Sequence, residues 1–468
     1  MATATELCTK TLTEVATLIQ KKAVSPVELT QTMLDRISTL DGKLHSYITV
    51  TTDLALQQAR TAEQEIGRGT YRGPLHGIPI AVKDLCYTKG IRTTCASKIL
   101  ANWIPDYDAT VVEKLYAAGA VLLGKLGMTE FAYAGYHPSV PPPVNPWNPQ
   151  RWPGASSSGS GVATGASLCF GSLGSDTGGS IRFPSAACGV VGVKPTYGKV
   201  SRYGVFPLGE SLDHIGPMTR SVADAAVMLR TIAGIDPKDP TTRRETVPDY
   251  LGTIRNGVKG LRIGVDETYC TADADPEVSQ AVLATTKVLR DLGANIQEVQ
   301  VSGIDEALAA WYVICASETA AAHEQTYPSR AEDYGPGFRG FLADGSKIRG
   351  LDYAKAYVAR QKVKYMLDDL LQKVDLLLCP SMPVVPMPLT NFSPQAVITR
   401  ENITGLLRHT APFDLSGSPT ISVPCGFSAD SLPLSLQLIG RHGEEGTVMQ
   451  AGYAYEQATE WHKRRPPI

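Results

Sequence analysis

The spacing of apolar and polar positions changes character near residue 70. Before it the pattern is helical. Ser25-Pro26-Val27-Glu28 reads as a helix start, with a capping serine, proline in the first helical position and an acid placed to close a capping box. Residues 52–67 predict a second, more polar helix. Beyond residue 75 short apolar runs alternate with helical stretches. "GIPIAVKDL" (77–85), "AVLLGK" (120–125), "FGSLGSD" (170–176), "KGLRIGVD" (259–266) and "VDLLLCPS" (374–381) read as buried strands. "DATVVEKLYAAG" (108–119) and the small-residue run "GSGVATGASLC" (159–169) read as helices. Residues 279–299 read as helix, glycine, strand, "LPLSLQLIG" (432–440) alternates, and 446–465 predicts a closing helix.

Strands that alternate with helices predict an α/β fold. The expectation is a single large domain with a central mixed, mostly parallel β-sheet covered by helices on both faces. No internal repeat is visible. The polar, Pro-rich stretch 237–258 reads as a surface excursion, because strand-like segments on both sides belong to one sheet. The loop 137–154 holds seven prolines, which exclude helix and central strand. It is either a rigid connector or a stiff wall behind the Gly/Ser loop that follows.

Composition narrows the class. Of 468 residues, 43% are hydrophobic and 19% charged, and the formal net charge is −2. Such a chain buries a large core and has no field that favours nucleic acid or an acidic membrane. No apolar run approaches the roughly 18 residues that span a bilayer. The first twenty residues lack a basic start followed by an unbroken apolar run, so the expected location is cytoplasmic. Nine scattered cysteines form no C-x-x-C pair and read as buried, reduced thiols. His323-Glu324 begins like H-E-x-x-H, but Tyr327 stands where the second histidine is needed. No metal or other cofactor is expected.

Two motifs fail on inspection. "GAVLLGKL" (119–126) matches G-x-x-x-x-G-K but has Leu126 where a P-loop needs Ser or Thr. "GSGVATG" (159–165) is one residue off the dinucleotide fingerprint. What remains is a constellation: Lys83 at the end of an apolar strand, the loop "GASSSGSG" (154–161), and "SDTGGS" (175–180). The chain has no G-x-S-x-G, so a nucleophilic Ser180 needs an activator other than the familiar triad. A lysine can take a serine's proton only when neutral, and burial favours that form. Two glycines before Ser180 let backbone amides approach a carbonyl oxygen. The N–H groups of Thr177, Gly178, Gly179 and Ser180 are the candidate oxyanion donors.

"GIPIAVKDL", "PGASSSGSGVATG", the long block from "GSDTGGSIRFPSAACG" to "SVADAA" and "LSGSPTISVPCGF" together resemble the amidase signature family, across about residues 10–460. The resemblance implies a Ser–Ser–Lys triad, with Ser180 as nucleophile, Ser156 as the bridging serine after a cis peptide bond, and Lys83 as base. It also implies an acyl-enzyme. The family's loop has glycines where Ala155 and Ser158 stand here. The 24-residue offset from Ser180 selects Ser156 over Ser157 and Ser158 as the bridge. Ser157 then becomes a hydroxyl near Lys83, and Asp176 and Arg182 become orienting groups. On this reading the domain 1–468 divides into a helical part (1–70), a catalytic core (75–235) and a remainder that completes the sheet and pocket (236–468).

The family offers two functions. One is a free-standing amidase acting on a small, aryl or apolar amide, with carbamates and esters as related substrates. The other is the glutamine-hydrolysing subunit of an aspartyl/glutamyl-tRNA amidotransferase. Residues 316–336 lack the Asn- and Arg-containing stretch that resemblance to the amidotransferase would require, and Leu407-Arg408 stand where an acid would bind the glutamine amino group. The free-standing amidase is therefore expected, with a small-molecule amide as partner, no nucleic acid, no membrane and room for a homodimer. Tyr133, Tyr136, His137, Trp147, Phe206 and Trp311 are the aromatic candidates for the pocket.

Overall fold

The computed structural model describes residues 4–392 and 405–468. One eleven-stranded sheet runs through it, in the order β1-β3-β2-β4-β6-β5-β10-β11-β9-β7-β8. The strands are β1 (Tyr47–Val50), β2 (Pro79–Lys83), β3 (Val121–Leu126), β4 (Gly171–Asp176), β5 (Val191–Lys194), β6 (His214–Thr219), β7 (Arg262–Val265), β8 (Asn295–Glu298), β9 (Leu376–Pro380), β10 (Thr420–Phe427) and β11 (Pro433–Gly440). Helices flank the sheet, and one continuous apolar core fills the space between them.

The sheet is mixed, but the expectation of mostly parallel pairing needs correction. Parallel joints link β3-β2, β2-β4, β9-β7 and β7-β8. The other joints, β1-β3, β4-β6, β6-β5, β5-β10, β10-β11 and β11-β9, are antiparallel. All but the last of these involve β1, β5, β6 or β10, strands that the apolar pattern did not announce.

Of the start predicted at residues 25–28, the serine cap and the proline in the first turn form. Ser25 caps the helix Pro26–Leu44 by accepting from the Val27 and Glu28 N–H groups at 3.0 and 3.2 Å. Its own hydroxyl donates to Glu63 on the next helix, Thr52–Gly67. The sheet prepares the site through β2 and β4. They are parallel neighbours, with Ala81 opposite Ser172 and Val82 opposite Leu173. Their C-terminal ends, Lys83 and Ser175-Asp176, therefore emerge side by side, and such ends are where open α/β sheets form crevices. The loop that precedes the short helix Ser158–Gly165 lies against them.

Candidate active site

Lys83 ends β2 with its side chain fully buried. Its Nζ lies 2.6 Å from Ser156 Oγ and 2.8 Å from Ser175 Oγ. Burial lowers the amine from its ordinary 10.5 to about 7; the nearby Cys86, Asp176 and Asp213 act against that drop. The neutral form is thereby favoured relative to a solvated lysine. Ser156 follows a cis peptide bond from Ala155. Together with Ser180 it lines one narrow cavity of about 60 Å³.

Ser175 was not among the residues expected to reach Lys83. The sequence places Ser157 there, but its hydroxyl donates to the Ser175 carbonyl at 3.1 Å and accepts from the Ser175 N–H at 3.2 Å. Ser157 thus fixes the backbone of the serine that touches the lysine. Ser158 is turned away from Lys83: its hydroxyl donates to the Gly154 carbonyl and bonds to the Tyr136 hydroxyl.

The loop that carries Ser180 is held from several sides. The Asp176 carboxylate accepts from the Gly179, Ile181 and Arg182 N–H groups at 2.6, 2.9 and 3.3 Å, and from the Arg182 guanidinium at 2.7 and 3.0 Å. Burial alone would raise this carboxyl, yet the Arg182 charge holds it well below the usual range. Arg182 also donates to Asp414, Thr410 and Gln437, which anchors the loop to the far half of the sheet. Burial drives the second carboxyl, Asp414, above the usual range, against the pull of the Arg182 guanidinium that it also contacts. Asp176 and Arg182 brace this loop, and neither is among the residues that line the cavity. The Gly179 N–H is occupied by Asp176. The candidate oxyanion donors narrow accordingly to Thr177, Gly178 and Ser180.

The two glycines are required by space and by conformation. A Cβ on Gly178 would lie 2.6 Å from the Trp311 ring. Gly179 has φ +133°, and a Cβ there would meet the Phe183 ring at 2.7 Å. Within 171–180 every residue is buried except Ser180, which is partly open.

Four aromatic rings, Tyr133, Trp152, Phe183 and Trp311, wall the cavity with Leu208, Leu406 and Leu407. Of the aromatic candidates from the sequence, Tyr133 and Trp311 are present there. Tyr136 is engaged with Ser158, His137 with Ser139, and Trp147 donates to the Cys188 carbonyl and packs against Phe427. Phe206 packs on Phe131 and His323. Through Trp152 the Pro-rich loop contributes a side chain to the cavity lining. Asn145 in that loop donates to the Trp152 and Ala187 carbonyls at 3.1 Å each. The lysine of the false P-loop, Lys125, is structural: it pairs with buried Asp84 at 3.3 Å and donates to Thr93 and the Cys86 carbonyl. All nine cysteines are free and buried.

Compared with known proteins, the amidase family model matches residues 28–449. The chain belongs to the amidase family, and it is a hydrolase of carbon–nitrogen amide bonds. A Mycobacterium tuberculosis protein that carries the amidase name AmiD is 46% identical over 458 residues, 98% of this chain and 96% of its own length. A glutamyl-tRNA(Gln) amidotransferase subunit of Moorella thermoacetica is 41% identical over 490 residues, 99% of both chains. Among solved structures, the native peptide amidase of Stenotrophomonas maltophilia superposes with a TM-score of 0.87 at 30% identity, over 98% of each chain. No helix among the described residues is long and apolar enough to cross a membrane.

Proposed function

We propose that this chain works alone, hydrolysing small amides that carry an aryl or other apolar group through an acyl-enzyme on Ser180. The observation that carries the reading is the buried Lys83 amine, 2.6 Å from Ser156 Oγ, at a cavity that Ser156 shares with Ser180. Neutral Lys83 accepts the Ser156 proton while donating to Ser175, and Ser156 accepts the proton of Ser180. Ser180 Oγ bonds to the amide carbon and the carbonyl π pair moves onto oxygen. Collapse of this intermediate expels the amine, which leaves with the proton returned through Ser156. Water then repeats the sequence on the acyl-enzyme and releases the acid. Tyr133, Trp152, Phe183 and Trp311 supply flat apolar walls for the substrate.

The glutamine-hydrolysing reading is favoured by the 41% identity, over the whole chain, to the Moorella thermoacetica amidotransferase protein. The cavity speaks against it. None of its wall residues among those described carries a charge, whereas the ammonium and carboxylate of buried glutamine need charged partners. Leu407 lines the wall, and Arg408 is turned outward to Asp273 and Asp305, at 3.0 Å from each. The test is a panel of aliphatic amides, anilides, carbamates and glutamine on the purified chain. Turnover of anilides or other apolar amides without ATP, tRNA or a second protein is expected. Turnover of glutamine alone, and only after partner proteins are added, would overturn the reading.

A further inference from the structure

Trp311 joins two features that lie far apart in the chain. Its ring lines the cavity beside Gly178 and Ser180, and its indole Nε1–H donates to the Thr177 carbonyl at 2.7 Å. The Thr177 carbonyl and the Gly178 N–H belong to one planar trans peptide and point in opposite directions, so fixing one fixes the other. The next two peptides are fixed as well. The Gly178 carbonyl accepts from Thr410 Oγ1 at 2.6 Å, and the Gly179 N–H donates to Asp176 at 2.6 Å. The Gly179 carbonyl accepts from the Phe183 N–H at 2.7 Å. The Gly178 and Ser180 amides therefore sit in peptides whose carbonyls are held on the protein side. The ring also closes directly over the loop, since a Cβ on Gly178 would lie 2.6 Å from Trp311 Cζ2.

We propose that Trp311 is a positioning and specificity residue. Its N–H, acting through the Thr177 carbonyl, aims the Gly178 amide at the oxygen that becomes negative, and its ring forms the wall that selects flat apolar amides. The proposal rests on Ser180 as the attacking nucleophile. When the Ser180 Oγ–carbon bond forms and the π pair moves to oxygen, the Gly178 and Ser180 N–H groups donate to that oxygen. Donors aimed before the reaction need no reorganisation during it, and losing one outright costs about 100- to 1,000-fold in rate. A donor that is present but released from its aim should cost less, about 10- to 100-fold.

The test uses two variants of the full chain. Trp311→Phe keeps an aromatic wall and removes the N–H. Replacing Trp311 by 3-benzothienylalanine keeps the bicyclic shape and exchanges only N–H for sulfur. With 4-nitroacetanilide, kcat is expected to fall about 10- to 100-fold while KM changes less than about threefold. Affinity for 1,1,1-trifluoro-4-phenylbutan-2-one, which forms a tetrahedral serine adduct, should fall by the same factor and reads the effect without turnover. Wild-type kcat and ketone affinity in the benzothienyl variant would overturn the proposal, as would a loss confined to KM. Fluorophosphonate labelling of wild-type protein is mapped first. A label on a serine other than Ser180 would remove the nucleophile reading itself, and it would show before either Trp311 variant is made.

Discussion

Replacing Lys83 by methionine tests whether the fold holds a neutral amine there. Methionine is apolar, flexible and long enough to fill the same channel. The lysine is fully buried, and burial lowers its amine from 10.5 to about 7. At 1.36 kcal/mol per tenfold, the fold disfavours the charged form by about 5 kcal/mol. Because the folded value is the lower one, the unfolded chain binds the proton more tightly between about 7 and 10.5. Stability of the wild type therefore rises as pH climbs through that window, and the full penalty acts below about 7. The substitution also removes the hydrogen bonds to Ser156 and Ser175, worth about 1 kcal/mol each. Lys83→Met is then expected to be inactive yet more stable than wild type by about 3 kcal/mol at pH 6, with the gain gone by pH 10. Urea unfolding of both proteins at pH 6, 8 and 10 measures this. A variant destabilised by the same amount at every pH would refute the argument, because its lysine would carry no buried-charge penalty.

Three further outcomes follow from the same geometry. In wild type, kcat/KM should rise with pH and level off above about 7, as Lys83 loses its proton; a flat profile between about pH 5.5 and 8.5 would contradict a lysine base. Gly178→Ala pushes a methyl to 2.6 Å from the Trp311 ring. Its kcat should fall by about two orders of magnitude or more with a thermal-melting cost of about 1–3 kcal/mol, and wild-type kcat would show that the loop has room to move. Arg182→Lys cannot reproduce the two-pronged bond to Asp176 and should cost about 3–5 kcal/mol in urea unfolding; an unchanged midpoint would mean that this buried network does not brace the loop.

The sequence carried β2, β3, β7 and β9 as apolar runs buried along most or all of their length, β4 and β11 as shorter or alternating apolar stretches, and β8 only through the helix and glycine that precede it, since its own residues are exposed or half-buried. It hid the others for local reasons. β6 contains Gly216 and Pro217, β10 contains Pro424 and Gly426, and β1 and β5 are four residues long. With those strands unseen, the helix-strand alternation read as parallel. Within the site, the resemblance pointed to Lys83, Ser156 and Ser180, and burial of the strand end argued for the lysine independently. Nothing in "SDTGGS" tells which serine turns toward Lys83. The register of β4 against β2 decides for Ser175, and Ser157 falls back to its backbone. Trp311 is legible in the sequence as a pocket aromatic, but its bond to the Thr177 carbonyl, 134 residues away, and the reach of Thr410 across 232 residues have no local signal. The place of Gly179 beside Ser180 suggests an oxyanion donor, but the Asp176 carboxylate takes its N–H.

Acylation of Ser180 can be read by peptide mapping by mass spectrometry of protein treated with a fluorophosphonate, in parallel with protein quenched during turnover of an aryl ester. One adduct per chain on Ser180 is predicted, with none in Ser180→Ala. An adduct on Ser156 or Ser158, or stoichiometric labelling that persists in Ser180→Ala, would contradict the account.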